Sequence, residues 1–148
     1  MKKTLLLIVI LFSTISCDLG DNEDCYTPPR QFNFDLVDAT TLENLFLDEA
    51  FTEEALKIYD DTDTEVNFEL VFYNEKYILS LYQIGWELEP KTYTIELSPE
   101  ISVVFKLDMD QVTSDSCTYF EVATFEVEDY EYEEDDTTGI IQVKIDLN

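Results

Sequence analysis

Ile101-Ser102-Val103-Val104-Phe105-Lys106-Leu107-Asp108-Met109 decides the fold. Ile101, Val103, Phe105, Leu107 and Met109 occupy every second position, and Ser102, Lys106 and Asp108 fall between them. A period of two puts one face of a strand on a core and the other in water. Working outward, the same period recurs. Tyr93, Ile95 and Leu97 alternate with Thr94 and Glu96; Val66, Phe68, Leu70 and Phe72 alternate with Asn67 and Glu69. Phe32, Phe34 and Leu36 form another face, as do Tyr77, Leu79 and Leu81, and Ile141, Val143, Ile145 and Leu147. Aromatic and β-branched enrichment agrees with strand.

Punctuation between these runs favours hairpins. Asn74-Glu75 suits a tight turn, Ser98-Pro99-Glu100 separates two runs, and Asp135 to Gly139 is a polar turn before the final run. Between Thr118 and Val127 the apolar positions slip phase, from Phe120 and Val122 to Phe125 and Val127. A slip of that kind marks a β-bulge. Glu43 to Leu47 and Ala55 to Tyr59 read as two short strands, with a helical turn capped by Thr52 as the alternative. Short strands without intervening helices predict an all-β chain, a single antiparallel β-sandwich over residues 31–148.

The opening MKKTLLLIVILFSTISC has the layout of a secretory leader: Lys2 and Lys3, a short apolar run, then small residues before Cys17. The cysteine directly after the small residues makes it a lipoprotein signal peptide, with residues 1–16 removed and Cys17 acylated. The apolar run is shorter than the ~20 residues needed to span a bilayer. Residues 17–30 read as a lipidated cysteine and an acidic tether, with Asp18, Asp21, Glu23 and Asp24 near its start. That acidic start resembles the export tag of lipoproteins placed on the outer face of the outer membrane; facing the periplasm is the alternative.

The chain has 148 residues, and losing 16 leaves 132, the size of one domain. Six basic residues then face 34 acidic ones, a formal charge of −28. Ten Phe and nine Tyr supply enough apolar area to fold despite that repulsion. So acidic a surface excludes nucleic acid as a partner, because phosphate binding needs Lys and Arg. It favours cations or a basic protein. With Cys17 committed to lipid, Cys25 and Cys117 remain, and an even count in an exported chain predicts a disulfide.

Cys25, Pro28-Pro29, Phe32-Asn33-Phe34-Asp35-Leu36-Val37-Asp38 and Thr41-x-Glu43-Asn44-Leu45-Phe46 together resemble small uncharacterised surface lipoproteins of Gram-negative bacteria. The resemblance implies an immunoglobulin-like or transthyretin-like β-sandwich and a surface location. It implies no activity and no catalytic residues.

Chemistry has few footholds. The chain contains no histidine, the commonest general base and metal ligand, and its three glycines form no phosphate-cradling loop. The sequence therefore reads as a non-enzyme. Asp61, Asp63 and Glu65 alternate as at the start of a calcium loop, without the glycine and distal glutamate of an EF-hand; a solvated acidic hairpin is the other reading. Ca²⁺ is the one cofactor the sequence suggests. Residues 126–136 crowd acids around Tyr130 and Tyr132, with Glu131 and Glu133 between and beyond them. Such a segment either docks a basic partner or is a solvated face. Trp86, the single tryptophan, follows Gly85; buried it caps the core, exposed it stacks on sugar. Burial is the expectation. The functional expectation is a lipid-anchored, non-catalytic interaction module for a protein or matrix component, calcium-assisted if Asp61, Asp63 and Glu65 converge. The alternative is a carbohydrate-binding accessory protein of a surface uptake system.

Overall fold

A computed structural model describes residues 25–47, 51–114 and 117–147. The leader, Cys17 and the first part of the tether lie outside these residues. The described residues form ten strands: β1 (Cys25–Tyr26), β2 (Phe32–Asp38), β3 (Lys57–Asp60), β4 (Glu69–Tyr73), β5 (Lys76–Leu81), β6 (Lys91–Ser98), β7 (Ile101–Ser114), β8 (Cys117–Val127), β9 (Glu131–Glu134) and β10 (Ile140–Ile145). They form two five-stranded sheets, ordered β1-β8-β7-β6-β3 and β4-β5-β2-β10-β9. The chain is all-β and sandwich-like, as the alternation predicts.

One expectation is corrected: the sheets are mixed rather than antiparallel. β2 pairs in parallel with β10, from Asn33 against Ile140 to Asp38 against Ile145, and β1 pairs in parallel with β8. Alternation reports which face a residue occupies and carries no information about strand direction. The remaining pairs are antiparallel.

Each sheet gives its apolar face to a shared core. Ile95, Leu97, Val103, Phe105, Leu107 and Met109 come from the first sheet; Phe32, Phe34, Leu36, Leu79, Leu81, Ile141, Val143 and Ile145 come from the second. Rings stitch the sheets together: Phe34 of β2 lies 5.1 Å from Phe105 of β7 and 6.2 Å from Phe125 of β8, and within the first sheet Phe105 lies 5.2 Å from Tyr93. Aromatic pairs at these separations contribute beyond the area they bury.

The turns behave as their residues require. Asn74 and Glu75 both take positive φ, 50° and 65°, giving the β4–β5 hairpin the turn hand that matches strand twist. The Asp135 carboxylate accepts the N–H groups of Thr137 and Thr138 and closes the turn before β10. The phase slip in β8 is a bulge: Asp108 faces Thr124 while Met109 faces Val122, leaving Ala123 over.

Ala55 to Tyr59 contributes β3, which begins at Lys57. Glu43 to Leu47 is not a strand. It is a turn bridged to Val37 by Asn44, whose amide spans two elements. Asn44 Nδ2 donates to Asp35 Oδ1 at 2.9 Å and to the Tyr77 carbonyl at 2.8 Å, so this segment is pinned across the outer face of the second sheet.

Candidate functional site

β1 is only two residues long, and a covalent bond holds it. Cys25 is disulfide-bonded to Cys117, with Cα atoms 4.4 Å apart, as the cysteine count predicts. Cys25 and Tyr26 lie within the expected tether and are already part of the first sheet. The bond positions Tyr26 at the sheet edge. From the opposite side, Gly85 brings in the neighbouring loop at φ +89°. A Cβ there would stand 3.1 Å from Pro29 Cβ and 3.3 Å from the Phe32 ring, so only glycine fits closely. The next residue, Trp86, is directed outward.

Trp86 is therefore 48% exposed, and the expectation of burial is corrected. It lies nearly parallel to Tyr26, at 6.2 Å and 20°, and Tyr26 is itself 52% exposed. Phe120 of β8 stands edge-on beneath both, 5.9 Å from Tyr26 and 5.8 Å from Trp86. Three rings from β1, the β5–β6 loop and β8 thus make one surface platform beside the disulfide. Sequence reading singled out Trp86. It missed Tyr26 and Phe120, which lie 60 and 34 positions away and meet only through sheet pairing.

The other candidates separate. Asp61, Asp63 and Glu65 do not converge. Asp61 pairs with Lys91 at 3.4 Å, Asp63 sits at positive φ, and Glu65 bridges to Tyr59. The neighbouring Asp60 organises the turn instead: its carboxylate accepts Thr62 N and Thr64 N at 2.9 Å and Thr62 Oγ1 at 2.7 Å. These bonds favour its charged form and hold its pKa below the ordinary carboxylate value. Among the described residues no three carboxylate or cysteine side chains gather as metal ligands.

In the acidic hairpin, Tyr130 packs partly buried against the core. Tyr132 sets its edge on Phe125 at 5.5 Å and donates its hydroxyl to the Phe125 carbonyl at 2.9 Å. Both tyrosines are engaged in closing the sandwich where β8 meets β9. Glu131 and Glu133 remain in solvent, with Lys144 3.8 Å from Glu131.

A polar cluster that has no sequence signal lies on the outer face of the second sheet. Asp35, on central strand β2, is 1% exposed. Its carboxylate accepts Lys76 Nζ at 2.5 Å, Asn44 Nδ2 at 2.9 Å and Gln142 Nε2 at 3.3 Å. A buried carboxylate with three donors is satisfied, and here it ties β2, β5, β10 and the Asn44 turn together. Its partners lie up to 107 positions away, beyond any local pattern.

No protein family, curated protein or solved structure matches the chain, so the platform and the buried Asp35 cluster stand on their own geometry.

Proposed function

We propose that the chain is a non-catalytic binding module, moored to the outer membrane by acyl chains on Cys17, and that Tyr26, Trp86 and Phe120 form its recognition surface. Mooring rests on the leader and on the likeness to Gram-negative surface lipoproteins, with presentation at the cell surface as the favoured face. The carrying observation is the exposed Trp86 beside a near-parallel Tyr26. Flat aromatic pairs offer C–H-rich sugar faces a rigid apolar surface at little entropic cost, because the rings are already held in place. The surrounding negative charge suits neutral glycans, which supply hydroxyl donors to carboxylates, and repels anionic polymers. Carbohydrate binding, as an accessory to surface uptake, is therefore the favoured reading.

A second reading keeps a basic protein segment as the partner. It is supported by the solvent-facing Glu131 and Glu133 on β9. No calcium is assigned to either reading, since Asp61, Asp63 and Glu65 stand apart.

A neutral-glycan array probed with the full chain tests the proposal, alongside Trp86→Ala. Binding that disappears in the variant supports it, and Trp86 emission then shifts with sugar. Silence across the array, or binding that the variant retains, refutes it.

A further inference from the structure

Every open sheet has edges, and exposed edges recruit other strands unless something blunts them. This sandwich has four, and three are guarded. Outside β3, the returning chain takes the ladder: Val66 N–H donates to the Ile58 carbonyl at 2.8 Å and Asp60 N–H to that of Thr64 at 3.0 Å. β8 carries β1 and the disulfide at one end, a bulge at Ala123, and the Tyr132 hydroxyl on the Phe125 carbonyl. β9 is short, with four solvent-facing residues, three of them glutamate.

Among the described residues, β4 has no such guard. It contains no proline and no bulge, and its one charged residue is Glu69. Its register against β5 shows which backbone groups are free. In a two-residue hairpin the residues flanking the turn, Tyr73 and Lys76, form a hydrogen-bonded pair, and such pairs alternate along the ladder. Val71 and Glu69 are therefore bonded to β5, while Leu70 and Phe72 point their N–H and C=O groups outward. Among the described residues, no hydrogen bond reaches those four groups. Phe72 beside them is 61% exposed, and Val71 and Tyr73 are about half exposed.

We propose that β4 pairs antiparallel with β4 of a second copy of this chain, across a two-fold axis at Val71. That axis sets Leu70 opposite Phe72 of the second copy, and Phe72 opposite Leu70. All four free groups on each side then find partners. Val71 faces its own counterpart, and Glu69 faces Tyr73. Sliding the axis to Phe72 would put Glu69 opposite Glu75, a like-charge pair that disfavours that register. Net charge also selects this edge. From Val66 to Ile84 the only charges are Glu69, Glu75 and Lys76, in a chain with 34 acids. Two like-charged molecules approach most easily there, since more distant charges are screened beyond about 8 Å at physiological salt. A five-residue pairing is small for an interface, so the dimer is reversible and concentration-dependent.

Register-specific cross-linking of the purified full chain tests this. In Val71→Cys the two new thiols face each other across a non-hydrogen-bonded pair, about 4.5 Å between Cα atoms, and a mild added oxidant joins them. In Tyr73→Cys the matching thiols lie four residues apart and do not meet. The parent chain, oxidised alongside, sets the background from its own cysteines. The expected result is a species of twice the chain mass, cleared by reductant, at least tenfold more abundant in Val71→Cys than in the parent or in Tyr73→Cys. Adding Phe72→Pro to Val71→Cys removes an outward N–H and leaves the β4–β5 ladder bonds in place, so the dimer band should vanish. No dimer above background, equal dimer from both cysteine variants, or a band that survives Phe72→Pro overturns the proposal.

Discussion

Replacing both Cys25 and Cys117 by serine tests the link between the covalent frame and the aromatic platform. The two positions are 92 residues apart in sequence. Cross-linking a loop of that length restricts the unfolded chain by about 4.5 kcal/mol in the chain-entropy treatment. The folded state also loses the fixed end of β1, which is held by two residue pairs and one further bond from Thr27 N–H to the Thr118 carbonyl. Without the bond, β1 gains freedom in the folded state and part of the penalty is recovered. The expected loss is therefore about 3–4 kcal/mol, a large share of the ~5–15 kcal/mol typical of a domain. Urea unfolding followed by Trp86 emission measures it. The slope of stability against urea should rise, because the uncrosslinked unfolded chain exposes more surface. Folded-state emission should move to longer wavelength as Tyr26 leaves Trp86. A stability change within about 0.5 kcal/mol would refute the account, as would unchanged folded-state emission, which would show that the platform stands without the bond.

Two further predictions concern turns. Glu75 holds φ near +65°, a conformation that costs an L-residue with a side chain about 1–2 kcal/mol. Glu75→Gly should raise stability by about 1 kcal/mol in urea unfolding, and a loss would contradict the turn geometry. Asp38, Asp60 and Asp135 each accept hydrogen bonds from threonines in their own turns, and each has its pKa lowered. A folded-state pKa below the unfolded value contributes stability that is present above about pH 4 and lost as pH falls through the folded value. The thermal midpoint of the parent should therefore exceed that of Asp60→Ala at pH 6, and the gap should close as pH drops below about 4. A gap that is constant with pH would rule out the carboxylate as its source.

Much of the strand layout was legible because period-two alternation is a property of the chain alone. The Ile101–Met109 face, the Asn74-Glu75 turn and the bulge near Ala123 all follow from local pattern. What was not legible depends on position in space. Direction of pairing left no mark, so the parallel contact of β2 and β10 was missed. Glu43 to Leu47 alternates well enough to pass for a strand, yet Asn44 satisfies its polar groups across the sheet and the segment turns instead. Trp86 reads as core by composition, but Gly85 fits so tightly against Pro29 and Phe32 that the following side chain is turned outward. Asp61, Asp63 and Glu65 share a spacing without sharing a centre, because the turn is organised by Asp60.

The parallel seam between β2 and β10 bears on how the chain is made. β2 is the middle strand of its sheet, and the neighbour on one side is synthesised more than a hundred residues later. While β10 is still within the ribosome, β2 has one flank open and its half of the core is unfinished. Folding of this sheet must wait until β10 has emerged. Until then the polypeptide stays threadable, with the apolar face of β2 uncovered for the time it takes to add more than a hundred residues.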